Sequence, residues 1–339
     1  MFVLNSDITI GKFRFSGVHD VRITMGMHSI VCMAYIQLPA VSRIIKNGKA
    51  VDGSVVTADQ FTEGDAVTVK LGYNGDLRTE FMGYVKHTDL NKPLTIICEG
   101  GSWLMRRNKI NLSERSISVK QLLQKAVAGT GLNVVCDIDV LLNNVQLNGT
   151  GVDMINAIHQ YTDHSLTIFF SKPDTLYCGN LRTKASGNND VLQLGKVQYR
   201  SGFNIFSNNN LKRRTTNDDP VAITYSKKED SGNIITATSA AFKNAVRKHS
   251  KLLNQVKEAA TLKLLAEEKA YKDNYQGFEG SVQTFLVPYV QPGYLASLTD
   301  NTLKLKEQTY LAEAVTTHFG VHGARRTVDL GPLMGFANQ

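Results

Sequence analysis

Hydrophobic and polar positions alternate most clearly between residues 61 and 103, and that stretch sets the expectation for the rest of the chain. Val67 and Val69 alternate with Thr68 and Lys70, so one face is apolar and the other polar, as in a half-buried strand. Gly64-Asp65 precedes this run as a turn signal, and Asn74-Gly75-Asp76 follows Tyr73 where a tight turn needs positive φ. The next strand, over 79–86, carries Phe81 and Val85 on one face and Met82 and Tyr84 on the other. Gly83 interrupts it, which in a strand marks a bulge or a close backbone approach. After Asn91-Lys92-Pro93, the run 94–98 is almost wholly apolar, as in a strand covered on both faces. The pattern predicts an antiparallel meander, and its glycines suit the sharp curvature of a small barrel.

Other segments extend this picture. Residues 1–40 read as two or three strands, ended by Pro39. The stretch 40–60 lacks a period, and its Asn47-Gly48 and Asp52-Gly53 predict an exposed surface loop. Met105 to Lys109 reads as a solvated basic connector. Ser118 is an expected N-cap for a helix over 119–127, ended by Gly129 and Gly131. A strand over 133–138, a helix opening at Gly151-Val152-Asp153, and a hairpin of 166–170 with 175–178 follow. Further strands are expected over 191–194, 197–199 and 204–206, and a hairpin of 221–225 with 233–238. The run 207–214, with Lys212, Arg213 and Arg214 as the best basic patch, reads as a loop or as a contact for DNA or an acidic partner. The longest helix is predicted over 250–274, with strands over 281–287, 294–300, 308–319 and 325–330 after it.

Composition narrows the class without naming a chemistry. The chain has 339 residues, 42% hydrophobic and 20% charged, enough for more than one core. No apolar run reaches membrane-spanning length, and the N-terminus lacks the basic and apolar regions of a signal peptide. Cys32, Cys98, Cys136 and Cys178 follow no metal-ligand spacing and are expected as reduced thiols in strands. The net charge of +8 is spread along the chain and is compatible with either a plain soluble surface or an anionic partner. His159 and Asp163 sit at helical i, i+4 spacing, suited to pairing on the helix, and no further metal ligands follow His164 at a recognisable spacing. Glu99, Glu114 and Asp137 are carboxylates that no hydrolase motif brings together, and GxSxG, Walker A and HExxH are all absent from the sequence.

Two stretches carry a family resemblance. GDAVTVKLGYNGDLRTEFMGYV followed by PLTIICEGGSWLM resembles the first barrel domain of baseplate hub proteins, through Gly64, Asp65, Gly72, Tyr73, Phe81, Gly83, Cys98, Glu99 and Trp103. That family includes the late-control D-type proteins of contractile-tailed phages and the hub portion of type VI secretion spikes. PGYLASLTD and TYLAEAVTTHFGVHGARRTVDLG resemble its C-terminal barrel, through Gly293, Leu298, Asp300, Tyr310, Val315, His318, Phe319, Gly323, Arg325, Val328, Leu330 and Gly331. The helix–strand–helix–hairpin block between them is similar to the family's insert.

The resemblance implies an α+β, mainly β fold with two tail-tube-like antiparallel β-barrels, an inserted small α/β domain and one long helix. It divides the chain into a discontinuous first barrel (1–108 plus 190–245), an insert (109–189), and a long helix with a second barrel (246–339). It also implies a non-enzymatic virion protein without cofactors: a homotrimeric, late-expressed baseplate hub at the tail tip of a phage or contractile injection system, assembled in the bacterial cytoplasm. Its partners would be a tail tube protein, a central spike protein, other baseplate proteins and, as a further candidate, the tape measure protein. DNA would pass only transiently through the lumen. The spike and any cell-wall enzyme would be separate chains. Two other readings stand beside this one. The first is a nucleic-acid- or glycan-binding β-barrel that uses Tyr73, Tyr84 and Trp103 as stacking platforms; the second is a cell-wall hydrolase.

Overall fold

A computed structural model describes residues 3–334 apart from 16, 47–48, 51–52, 181–194, 216–219, 230 and 301–304. Strands make up 56% of it and helices 15%, which agrees with a mainly β class. The expected strand over 191–194 lies outside the described residues.

The N-terminal part forms β1 (Leu4–Ile10), β2 (Phe13–Phe15), β3 (Asp20–Gly26) and β4 (Ser29–Leu38). Four two-residue strands follow: β5 (Val41–Ser42), β6 (Ile45–Lys46), β7 (Lys49–Ala50) and β8 (Val55–Val56). The meander is β9 (Ala66–Tyr73), β10 (Asp76–Asp89) and β11 (Leu94–Glu99). These strands lie in the order β3-β4-β11-β10-β9-β1-β2. Alternation delivers one core: Ile8 and Ile10, Val21 and Ile23, Val67 and Val69, Phe81 and Val85, Ile96 and Cys98 all point into it. Asn74 and Gly75 both have positive φ between the paired Tyr73 and Asp76, the geometry expected of a two-residue hairpin turn. Of the two roles offered for Gly83, close approach is the observed one, since a Cβ there would sit 2.3 Å from the Glu99 carbonyl oxygen. The register shifts of β10 lie instead between Thr79 and Phe81 and between Val85 and His87. The stretch 40–60 is not a plain loop, because β5 pairs with β8 and β6 with β7.

After α1 (Ser102–Arg107), the expected insert contains β12 (Lys109–Ser118), α2 (Val119–Ala126), β13 (Asn133–Cys136), β14 (Leu141–Thr150), α3 (Gly151–Tyr161), β15 (Thr167–Lys172) and β16 (Thr175–Gly179). Ser118 caps α2 in a capping box with Gln121, and Thr150 caps α3 with Asp153. Of the expected basic connector, Met105 to Arg107 belong to α1, which also carries Trp103, and Lys109 opens β12. The antiparallel pair β12–β14 was not expected. Polar residues such as Glu114, Asn143 and Gln146 mask its period, while Leu112, Ile117, Leu142 and Val145 fill the core.

The last part comprises β17 (Lys196–Arg200), β18 (Ile205–Arg214), β19 (Val221–Lys228), β20 (Ile234–Thr238), β21 (Arg247–Leu252), α4 (Ala259–Asp273), β22 (Gly277–Thr284), β23 (Leu295–Asp300), β24 (Leu305–Gly320) and β25 (Gly323–Leu333). Several expectations are corrected here. The predicted helix 250–274 begins only at Ala259, because Arg247–Leu252 pairs in parallel with β19. β22 opens at Gly277, three residues after the predicted end of that helix. The 207–214 run, expected as a loop, is strand β18. The strands expected to complete the first barrel do not pair with it. β17 pairs with β23 and β18 with β22, while β19, β20 and β21 form a separate sheet. Ile223 and Tyr225 of that sheet share a core with Leu262 and Leu265 of α4 and with the insert.

The two expected barrels are joined in one thirteen-stranded sheet, because β24 pairs with β3. No closed barrel is present among the described residues. Two apolar cores lie along this sheet, one under the N-terminal strands and one around Tyr199, Val282, Leu298, Val315 and Val328.

Gly83→Ala is expected to destabilise the protein by about 1–3 kcal/mol, the usual cost of forcing atoms into a packed site. Lys212→Ala, on an exposed strand position, should stay within about 0.5 kcal/mol of the parent. Urea unfolding midpoints of the two variants test the contrast.

Candidate functional site

The most concentrated chemistry in the molecule lies where its two halves meet. β24 spans both: Tyr310, Ala312 and Val315 belong to the C-terminal core, and Phe319 to the N-terminal one. Beside it, Arg326 of β25 is wholly buried and reaches Glu80 of β10, Nη2 to Oε1, at 2.5 Å. The register shift between Thr79 and Phe81 leaves Glu80 outside the ladder, as a bulge does when it re-aims a side chain. Arg326 Nη1 also donates to the carbonyls of Leu286 (2.8 Å) and Pro288 (3.2 Å), and its guanidinium lies 5.1 Å from the Tyr289 ring centroid. Burial pushes the Glu80 carboxyl above its usual range, while the Arg326 charge pulls the other way. Tyr73 adds a second tie across the same join: its hydroxyl donates to Ala324 O at 3.1 Å and accepts from Leu286 N at 3.3 Å. Tyr289 donates to Thr79 O at 3.2 Å.

The positions singled out in the sequence are mostly fixtures of turns and close packing. Gly64 has a φ of 93°, its N–H donates to Val85 O, and a Cβ there would sit 3.0 Å from the Trp103 ring. Asp65 accepts from Thr62 N at 2.9 Å. A Cβ on Gly72 would lie 1.7 Å from Asp76 O, and one on Gly331 2.3 Å from Glu313. Phe81 is core, and Tyr310 packs on Phe278 at 4.8 Å. Gly293 holds a positive φ in a turn and Gly323 one at the start of β25, and Asp300 ends β23, paired with Leu305. Arg325 lies over Phe206 at 4.3 Å; its neighbour Arg326, which pattern matching passed over, makes the buried ion pair. Glu80 was missed as well. No periodicity in the sequence marks either residue, although a charge on the apolar face of a strand is itself a signal.

The aromatic residues proposed as stacking platforms are already occupied. Trp103 stacks on Tyr84, with centroids 4.9 Å apart, and Arg107 covers the Trp103 ring at 3.3 Å. Arg107 is held in turn by Glu63. Trp103 lies on a helix, not on a strand, and Tyr73 serves the join. The three carboxylates do not converge. Glu99 is fully buried, accepts from Ser102 Oγ (2.7 Å) and Arg106 Nε (2.8 Å), and faces Lys86 Nζ at 3.2 Å. Asp137 accepts from the Tyr177 hydroxyl at 2.6 Å, and Glu114 sits on β12.

No protein-family model matches this chain, and no curated protein sequence matches it. Solved structures do. The 43 kDa tail protein of prophage MuSo2 from Shewanella oneidensis superposes with a TM-score of 0.66 at 14% identity, covering 97% of this chain and 98% of that one. The tail protein from Neisseria meningitidis MC58 gives 0.65 at 11% identity, with 96% of both chains covered. This is the fold of phage tail proteins. The E. coli c3393 protein, a component of the type VI secretion system with structural similarity to T4 bacteriophage tail proteins gp27 and gp5, also matches. Its TM-score is 0.56 at 10% identity, over 96% of this chain and 76% of that one. The tail-protein fold agrees with the resemblance to baseplate hub proteins carried by residues 61–103 and 293–331.

Within this tail-protein fold, the remaining candidates are structural contacts. His159 and Asp163 do not pair. His159 stacks on His164 at 5.0 Å, while Asp163 accepts from Tyr225 (2.9 Å), His249 (2.6 Å) and Lys251 (2.7 Å), tying the end of α3 to the β19–β21 sheet. No group of three or more metal-ligating side chains occurs among the described residues. Of the basic run, Arg214 pairs with Glu279 at 3.3 Å and lies over Tyr275 at 4.3 Å, whereas Lys212 and Arg213 are exposed. No helix among the described residues is long and apolar enough to cross a membrane.

Arg326→Met is expected to cost about 3–5 kcal/mol, because it leaves the Glu80 carboxylate buried without its partner. Adding Glu80→Met should recover part of that loss. A double-mutant cycle read by urea denaturation checks the coupling, and additive losses would contradict it. Burial opposes ionisation of Glu99, but the hydrogen bonds from Ser102, Arg106 and Lys86 prevail and hold its carboxyl below the ordinary 4.5. Its stabilisation is therefore present above about pH 4.5 and is lost as pH falls through the lowered folded value. Glu99→Gln should flatten the acid limb of a melting temperature–pH profile; an unchanged limb would argue against this account.

Proposed function

We propose that the protein is a structural hub of a phage tail tip or baseplate, joining a sixfold tail tube to a threefold central spike. The observation that carries this reading is the end-to-end likeness to tail proteins, covering 97% of this chain and 98% of the Shewanella oneidensis protein. In this reading the two halves act as tube-like barrels, and three chains form a ring with six quasi-equivalent units. Ring closure would cover sheet edges that a lone chain leaves open. The end of the described sheet fits that role: β18 pairs only with β22. The partners are the tail tube protein, the spike and neighbouring baseplate proteins, and DNA or an effector crosses the lumen without lasting contact. The protein works by transmitting force and holding a channel, not by chemistry. The buried ion pair and the tyrosine ties suit it, because they hold the two halves in one fixed relation.

Native mass spectrometry of the purified protein, with and without a co-expressed spike protein, tests this. Three subunits per particle in either condition is the expected result. A strict monomer in both would overturn the self-assembling hub and move nucleic-acid binding assays, read by salt dependence, to the front.

A further inference from the structure

Cys136 and Cys178 stand side by side in the insert. β13 and β16 run parallel, and the two cysteines are register partners at the end of their ladder. Partners in a parallel ladder project to the same face. The burial agrees: Val134, Cys136, Leu176 and Cys178 meet one core, whereas Val135 and Tyr177 meet another. Neighbouring strands lie about 4.8 Å apart, inside the roughly 4.4–6.8 Å Cα separation that a disulfide spans.

The pair is asymmetric. Cys136 is half-buried, and Cys178 is fully buried. The Cys136 thiol donates to Ile138 O at 2.9 Å. Its neighbour Cys178 lowers the Cys136 thiol from its ordinary value, and Cys136 together with burial raises that of Cys178. The other two cysteines lack such a partner: Cys98 is paired with Ala34, and burial pushes the Cys32 and Cys98 thiols up to about 12.

We propose that Cys136 and Cys178 form a redox-active pair that a small-molecule disulfide converts to a cross-strand disulfide, with Cys136 attacking and Cys178 resolving. The Cys136 thiolate attacks one sulfur of the small disulfide, whose S–S bond breaks to release one small thiol. Cys178 then loses its proton and attacks Cys136 Sγ, expelling the second small thiol. Two protein thiols are oxidised, one small disulfide is reduced to two thiols, and the two protons from the protein end on those thiols. The bridge joins the four-residue strand β13 to β16 and closes a loop that contains β14, α3 and β15. A long closed loop restricts the unfolded chain strongly. The pair is open in a reducing compartment and closes in an oxidising one.

The test is to incubate the full-length protein with oxidised glutathione under native conditions, then map peptides by mass spectrometry without reductant. The expected product links Cys136 to Cys178, leaves Cys32 and Cys98 free, reverts with dithiothreitol and melts at a higher temperature than the reduced protein. In Cys178→Ser the reaction should stop at a glutathione adduct on Cys136; in Cys136→Ser, Cys178 should stay unmodified. Retention of all four thiols, an unresolved adduct on Cys136 in the parent protein, or a bridge to Cys32 or Cys98 would overturn the proposal. Mapping of the parent protein decides the matter even where a variant folds poorly.

Discussion

The structure depends on burying one guanidinium at the junction of two cores. Arg326 and Glu80 are both removed from water, and the desolvation of two charges is repaid only when the geometry is good and the remaining donors are satisfied. Here the carbonyls of Leu286 and Pro288 accept from Nη1, and the Thr317 hydroxyl oxygen faces Nε at 3.5 Å. Three stretches distant in sequence, β10, β25 and the segment between β22 and β23, must therefore be in place together. The ion pair is a poor source of stability but a strict condition on arrangement, since any one stretch out of position leaves a charge stranded.

The rest of the sheet accommodates that condition. β24, at 16 residues, runs through both cores and carries the pairing from β25 across to β3. The meander, separated from β24 by β3 and β4, is packed so closely that Gly72 and Gly83 have no room for a side chain. The insert is not an independent appendage. Its core is completed by Ile223 and Tyr225 from the three-stranded sheet and by Leu262 and Leu265 from α4. Asp163 secures the same contact with Tyr225, His249 and Lys251. Side chains that would serve recognition elsewhere, such as Trp103, Tyr84 and Arg107, are spent on one another. A protein whose polar and aromatic groups are turned inward in this way accords with the proposed structural role.

Local pattern was a good guide wherever the physics was local. The Asn74-Gly75 turn, the Ser118 cap, the helix from Gly151 and the hairpin around Pro173 depend on backbone preferences and on nearest neighbours, and each could be read from a few residues. The failures share a cause. Arg247–Leu252 is too rich in charge to read as a strand, and it becomes one because β19 offers it a parallel partner. The polar run 207–214 is a strand because β22 supplies the hydrogen bonds.

By itself, the sequence determined the mainly β character, the meander, the caps and turns, and the resemblance to tail hub proteins. All of these follow from alternation and from residues whose conformational demands are their own. The tertiary structure decided which strands pair across the chain, that β17 and β18 join the C-terminal strands, and that Arg326, not Arg325, is the buried cation. Pairing is chosen by hydrogen-bonding edges and apolar faces that meet only after the chain has folded back, and the Glu80–Arg326 contact closes a separation of 246 residues. A charge on the inner face of a strand becomes tolerable only when its partner arrives from the other half.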